Sequence, residues 1–232
     1  MGRVTTTPDL WHHYGRTRAS TDRAVPGAFR WTWGQDDGPG AELLGDLTGK
    51  TVCELGAGAA RQAAHLATHH DPARVDAVDS SPAQHALATD LYASLGPRLR
   101  LVHRDVVAHL HGAPSVYDVL YSVFGAPDFT DPRVLLPAAA GALRPGGRLV
   151  FATLAHYITG APAQPDVTPV DIPAKTPDGT PATMTRWVLQ EQLWSKLLEQ
   201  AGFTQITAEE LPAGPGPRAA ATLIMTAATP AA

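Results

Sequence analysis

The stretch V-C-E-L-G-A-G-A-A-R-Q, Val52 to Gln62, decides how the chain is read. A buried strand-like run, Thr51–Leu55, enters a turn carrying Gly56 and Gly58, and an α-like stretch, Ala59–Thr68, leaves it. Strand, glycine turn and helix in that order open a nucleotide-binding βαβ unit, which also needs an acid about 20 residues on, at the end of the next strand. Asp79 meets that need in V-D-A-V-D-S-S-P, with Ser80 beside it. A carboxylate there can accept hydrogen bonds from both hydroxyls of a ribose.

Charge narrows the ligand. The dinucleotide fingerprint wants a third glycine at position 61, where this chain has Arg61, and Glu54 lies two residues ahead of the turn. A carboxylate beside a pyrophosphate in a partly desolvated cleft is repelled. NAD is therefore a poor fit. S-adenosylmethionine carries a sulfonium, an ammonium, a ribose and an adenine, and it has no phosphate. Glu54 would complement its amino-acid end directly or through water, while Gly56 and Gly58, with Ala57 between them, let the backbone approach closely.

Outward from the loop, short β-like and longer α-like stretches alternate. Arg74–Val78, Arg98–His103, Val116–Ser122 and Arg148–Thr153 read as strands, and Pro82–Leu95 and Pro132–Leu143 as helices. Ser81 suits the cap before Pro82. This alternation predicts a Rossmann-like, mostly parallel sheet with helices on both faces. Thr185–Gln200 reads as one helix from the spacing of Trp187, Leu193, Trp194, Leu197 and Leu198. Phe203–Glu209 and Ala220–Ala227 follow with only a Pro/Gly turn between them. They predict a hairpin that makes the last strand of the mostly parallel sheet antiparallel.

The loop and its companions resemble the class I S-adenosylmethionine-dependent methyltransferases. The family's E-x-G-x-G-x-G motif is carried as Glu54, Gly56 and Gly58, with Ala60 in the last place. The resemblance continues through Asp79 as ribose acid and R-D-V at Arg104–Val106. It extends through Y-D-V-L-Y-S-V-F-G-A at Tyr117–Ala126 and L-R-P-G-G-R-L-V-F at Leu143–Phe151. It implies that Asp105 receives the adenine amino group beside Val106, and that a main-chain carbonyl of Tyr121 or Ser122 meets the methionine ammonium. It also implies a seven-stranded sheet with the final strand antiparallel, and a lid, residues 1–40, over a single catalytic domain, residues 41–232. F-R-W-T-W-G-Q-D-D-G-P-G and R-W-V-L are similar to segments of small actinobacterial natural-product methyltransferases. That likeness implies a small-molecule acceptor reacting at nitrogen, carbon or oxygen.

Within such a lid, Tyr14, Trp31 and Trp33 would face the sulfonium, where an aromatic face attracts a cation. Phe124 would wall the acceptor pocket, and the Pro-rich segment 160–181 its second side. His156 and Tyr157, just past Arg148–Thr153, are the candidates for base or acceptor-orienting group, with Asp128 and Asp166 behind them. His65 and His69 stand one helical turn apart with no Cys partners, a solvated helix face rather than a metal clip. No metal is expected.

The composition fits this reading. The chain has 232 residues, 44% of them hydrophobic and 17% charged, with a formal charge of -4. One domain with a sizeable core is expected. The acidic balance argues against nucleic acid or an anionic membrane as partner, and no apolar run approaches the ~20 residues of a membrane span. A cytoplasmic monomer or homodimer is expected. The single cysteine, Cys53, reads as packing. A protein that keeps the cofactor fold without moving a methyl group, a pathway cyclase or a regulatory binder, is the alternative.

Overall fold

A computed structural model describes residues 8–35, 37–214 and 220–232. The first seven residues of the expected lid, Asp36 and residues 215–217 of the Pro/Gly turn at 212–217 lie outside them. A short helix α1 (Arg16–Thr21) precedes the alternating body. That body runs β1 (Thr51–Leu55), α2 (Arg61–His69), β2 (Arg74–Asp79), α3 (Pro82–Tyr92), β3 (Leu99–His103), α4 (Val106–His111), β4 (Tyr117–Val123), α5 (Ala126–Phe129), α6 (Pro132–Ala142) and β5 (Leu143–Leu154). Then come β6 (Val170–Lys175), β7 (Pro181–Arg186), α7 (Glu191–Gln200), β8 (Thr204–Leu211) and β9 (Thr222–Ala228).

Seven strands form one sheet in the order β3-β2-β1-β4-β5-β9-β8. β1 through β5 are parallel, and β9 runs antiparallel to both β5 and β8. This is the seven-stranded arrangement expected from the sequence. Strand order reverses between β1 and β4, and a crevice opens beyond the carboxyl ends of strands at such a switch. Alternation along the strands divides the core. Cys53, Leu55 and Leu120 join Trp194, Leu198 and Phe151 on one face; Val52, Val119 and Tyr121 join Ala63, Leu66 and Trp31 on the other. Cys53 is wholly buried, as packing requires.

Two elements differ from the expectation. The helix starts at Glu191, not Thr185, because Pro181–Arg186 pairs as β7 with β6 in a separate two-stranded ribbon. Trp187, Val188 and Leu189 are extended between them: the Trp187 amide donates to the Asp128 carbonyl at 2.8 Å, and the Gln164 amide to the Val188 carbonyl at 2.8 Å. Trp187 fell in helical register with Trp194 by coincidence of spacing. The ribbon itself was hidden by Pro173, since proline in a strand reads as a break.

Candidate active site

The crevice at the β1–β4 switch is a cleft of about 550 Å³, within the ~300–1,000 Å³ of small-molecule sites. Glu54, Gly56, Ala57, Gly58, Asp79, Ser80, Asp105 and Val106 line it together, so the loop, the strand-end acid and the R-D-V segment converge as the sequence implies.

The loop is held by its own backbone. The amides of Gly56 and Ala57 both donate to the Val78 carbonyl at 3.0 Å, and the Gly58 amide donates to Asp79 Oδ2 at 2.7 Å. Ser81 N–H donates to the other oxygen, Oδ1, at 2.8 Å. Asp79 is thereby fixed with lone pairs left over, and burial pushes its pKa up despite both amides. Gly56 has φ +74°, and a Cβ there would stand 2.5 Å from the Ala126 amide nitrogen, so the turn packs directly on the segment after β4. Ala60, where the family pattern has glycine, is left-handed at φ 57° and caps α2. Left-handed backbone costs an alanine roughly 1–2 kcal/mol, and glycine there gives up about 0.5–1 kcal/mol of unfolded-chain entropy. Ala60→Gly is therefore expected to leave the melting temperature unchanged or raise it by a few degrees in calorimetry. A clear drop would show that the Ala60 methyl group, 1% exposed, contributes more packing than the turn costs.

Glu54 is the unusual acid. It is 3% exposed on β1, accepts from the Ala63 amide of α2 at 3.0 Å, and faces the buried Tyr121 hydroxyl. Burial raises its pKa to about 8, with Asp79 adding like charge and the Tyr121 and Ala63 donors opposing. The carboxyl is then mostly neutral at pH 7 before a ligand binds. A cationic group beside it favours the charged form, so binding should release close to one proton near pH 7. Calorimetry of S-adenosylhomocysteine in buffers of different ionisation enthalpy should read that release, and affinity should rise from pH 6 towards 8. Because the folded pKa lies above the unfolded one, Glu54 also makes the ligand-free protein less stable as pH climbs from 4.5 to 8. Glu54→Gln should melt higher than wild type at pH 8 and bind at least about tenfold more weakly, the loss expected of a charge-assisted hydrogen bond. A variant with unchanged affinity would remove Glu54 from the ligand's ammonium.

Asp105 caps α4, its Oδ1 accepting from the Ala108 amide at 2.9 Å, which leaves Oδ2 for a donor in the cleft. Arg61 lines the cleft, yet its guanidinium is held by the carbonyl of Asp22 at 2.9 Å and by the Asp22 carboxylate.

The N-terminal segment contributes to the wall of this cleft. Trp11, Tyr14, Gly15, Thr17 and Gln35 line the cleft. Side chains of α2 and α3 grip the segment by its backbone: Gln84 Nε2 donates to the carbonyls of Trp11 and Tyr14 at 2.8 and 2.9 Å, and His65 Nδ1 to that of Pro26 at 2.8 Å. Asp9 accepts from the Ser81 hydroxyl and the Ala83 amide at the start of α3. His65 is therefore buried, 5% exposed, and not on a solvated face. No group of three or more His, Cys, Asp or Glu side chains among the described residues could hold a metal.

Several expected residues stand outside the cleft. His156 is turned into the main chain: the Ala221 amide donates to Nε2 at 3.2 Å, so Nδ1 carries the proton and donates to the Tyr157 carbonyl at 2.9 Å. Tyr157, 7% exposed, packs with Leu154, Val188 and Ala220. The position after β5 told where the residues are, not where their rings point. Ser122 and Tyr121 are wholly buried, and the Ser122 hydroxyl donates to the Leu55 carbonyl at 2.6 Å. Trp31 is core, its indole donating to the Gly40 carbonyl at 2.8 Å. Trp33 stands behind Phe124, ring centroids 5.0 Å apart. Asp128 is wholly buried in an ion pair with Arg186, and Asp166 is exposed, capping the Thr168 amide. Segment 160–181 contributes no lining residue; it reaches the N-terminal segment instead, where His13 Nε2 contacts the Thr176 carbonyl at 3.0 Å. Phe124 does line the cleft, together with Trp11, Gln84 and Phe129, for which no local motif exists.

Residues 52–147 match the family model described as a methyltransferase domain. No curated protein matches the chain in sequence. Similar solved structures include an S-adenosylmethionine-dependent methyltransferase of Listeria monocytogenes, with TM-score 0.62 and 18% identity over 81% of this chain and 94% of that one. A 1,6-didemethyltoxoflavin-N1-methyltransferase of Burkholderia thailandensis, solved with S-adenosylhomocysteine, has TM-score 0.54 and 21% identity over 79% and 72%. The [4+2]-cyclase SpnF has TM-score 0.67 and 14% identity over 96% and 94%. The chain thus has the fold of the class I S-adenosylmethionine-dependent methyltransferases, and its residues 52–147 match a methyltransferase-domain model.

Proposed function

We propose that the protein transfers a methyl group from S-adenosylmethionine to a small-molecule acceptor. The observation that carries the reading is the charge of the cleft. Glu54, Asp79 and Asp105 line it, and Arg61, its one lining cation among the described residues, is tied to Asp22. A phosphate would find no free cation among the described lining residues and would hold Glu54 neutral, whereas a ligand with positive centres and a ribose draws Glu54 into its charged form and is complemented.

When bound, the cofactor supplies a methyl group already activated by the sulfonium charge. The chain's residues bind and orient. Asp79 presents a fixed carboxylate to the ribose hydroxyls, Asp105 its remaining oxygen to the adenine amine, and Glu54 its carboxyl to the ammonium. Trp11 and Tyr14, held by Gln84, screen the reacting centre from water. Alignment of two bound reactants supplies roughly 7–11 kcal/mol, which is what a donor of this kind chiefly requires. Main-chain groups engage both His156 nitrogens, so that ring supports the β5–β9 edge rather than a proton transfer.

The biological setting we propose is bacterial secondary metabolism, on the likeness of its N-terminal segment to small actinobacterial enzymes. Incubation with methyl-labelled S-adenosylmethionine and extracts of small metabolites tests the activity: transfer of label to a small molecule is expected. Tight cofactor binding with no transfer to any acceptor would favour the cyclase reading instead. Two observations support that second reading: the SpnF likeness spans 96% of the chain, and no histidine lines the cleft among the described residues.

A further inference from the structure

Resting on the proposed cofactor assignment, the composition of the other half of the cleft points to the acceptor. Once Glu54, Asp79 and Asp105 are assigned, the side chains left over, apart from the engaged Arg61, are uncharged: four rings, Trp11, Tyr14, Phe124 and Phe129, beside the amides of Gln35, Gln62 and Gln84. The rings are braced against one another. Trp11 meets Phe129 edge-on with centroids 4.6 Å apart, and Tyr14 at 5.6 Å. Behind them the Arg186 guanidinium sits over Phe129 at 5.2 Å and over Trp33 at 5.4 Å, and Trp33 in turn braces Phe124.

We infer that the acceptor is a neutral, planar heteroaromatic ring, held among Trp11, Phe124 and Phe129 and methylated at a ring atom that carries its own nucleophilic electron pair.

Charge excludes the other classes. An anionic acceptor needs a free cation, but Arg61 is engaged by Asp22, and Arg186, 4% exposed, by the wholly buried Asp128. Its carboxylate or phosphate would lose water and gain no charged partner in return. A cationic acceptor would be brought against the sulfonium it must attack, with the three lining carboxylates already used, and Arg186 already covers one face each of Phe129 and Trp33. A flat neutral ring, by contrast, fills a slot of aromatic edges and faces and gains offset or edge-on contacts.

The chemistry agrees. Apart from the cofactor-facing acids and the engaged Arg61, Tyr14 is the only titratable side chain lining the cleft among the described residues. A hydroxyl of ordinary acidity would have no strong base to take its proton. A ring nitrogen or electron-rich ring carbon needs none before attack. Its electron pair forms the bond to the methyl carbon, the carbon–sulfur bond breaks with its pair left on sulfur, and any proton on the acceptor atom then leaves to water.

The test is binding to protein saturated with S-adenosylhomocysteine, read by saturation-transfer NMR and calorimetry. The probes share one bicyclic ring: indole, indole-3-acetate, tryptamine and indoxyl phosphate. Saturation with S-adenosylhomocysteine is established first, and its failure would sink the cofactor assignment alone. With the cofactor product bound, indole is expected to bind at least tenfold more tightly than each charged analogue. Phe129→Leu should weaken indole at least fivefold while S-adenosylhomocysteine affinity stays unchanged. A charged analogue binding as well as indole, no indole binding at millimolar concentration, or indole indifferent to both Phe129→Leu and Phe124→Leu would each overturn the inference.

Discussion

Asp79→Ala is expected to abolish measurable binding of S-adenosylhomocysteine. Two ribose hydroxyls donating to a carboxylate are charge-assisted bonds, each about 1.5–3 kcal/mol. Losing both weakens binding by several hundredfold or more. The substitution also frees the Gly58 and Ser81 amides, which now donate to Oδ2 and Oδ1 at 2.7 and 2.8 Å, so the loop loses its tether to β2 as well. The two contributions can be separated. Asp79→Asn keeps one oxygen as acceptor and most of the size, so it retains one of the two tethers and should be destabilised less than alanine while still losing most of the affinity. Titration calorimetry and thermal melts on the two variants read both quantities. Alanine with wild-type affinity would show that the ribose lies elsewhere.

Gly56→Ala is expected to damage the fold more than any other substitution in the loop. At φ +74° an alanine bears the left-handed cost of roughly 1–2 kcal/mol. Its Cβ would also meet the Ala126 nitrogen at 2.5 Å and the Gly125 carbonyl carbon at 3.0 Å, main-chain atoms that cannot rotate away. Overpacking of that kind adds about 1–3 kcal/mol. Together they lower the melting temperature by roughly 5–20 °C for a chain of this size. Gly58 is the internal control. Its φ is +53°, but the nearest atom to an added Cβ is the flexible Gln84 Oε1 at 3.5 Å. Gly58→Ala should therefore melt within a few degrees of wild type, bearing the same backbone cost that Ala60 bears already. Equal destabilisation by the two would mean that backbone strain, not the contact with the segment after β4, makes Gly56 necessary.

What the sequence disclosed and what it concealed follow a physical division. Residues whose role is set by local backbone geometry were legible: Gly56 at a positive φ, Asp79 at a strand end, Asp105 opening a helix and Ser81 capping one. The sheet was legible for the same reason, since each strand–turn–helix unit is written contiguously. The β6–β7 ribbon was not, because Pro173 interrupts it and its alternation is polar on one face with little core on the other. The start of α7 was misread because Trp187 shares a helical spacing with Trp194 while pairing elsewhere. In the site, Trp11, Gln84 and Phe129 reach the cleft through contacts across many residues, as in the bonds from Gln84 to the carbonyls of Trp11 and Tyr14. No local pattern announces such a meeting. His156 failed in the opposite way: its place in the chain was right for catalysis, and its ring turned to the main chain of its neighbours.

The burial of the Glu54 carboxyl also carries a cost for the fold. A carboxyl buried to 3% exposure with a pKa near 8 destabilises the ligand-free protein at alkaline pH, and a core residue of the same size would not. Such an expense at a strand end is typical of a group retained for its ligand.

The most direct measurement is calorimetric titration of the wild-type protein near neutral pH with S-adenosylhomocysteine and, separately, with NAD. The cleft described here predicts one saturable site for the first ligand, proton release on binding, and no heat from the second. Binding of NAD with comparable affinity, or S-adenosylhomocysteine binding without any proton released, would contradict it.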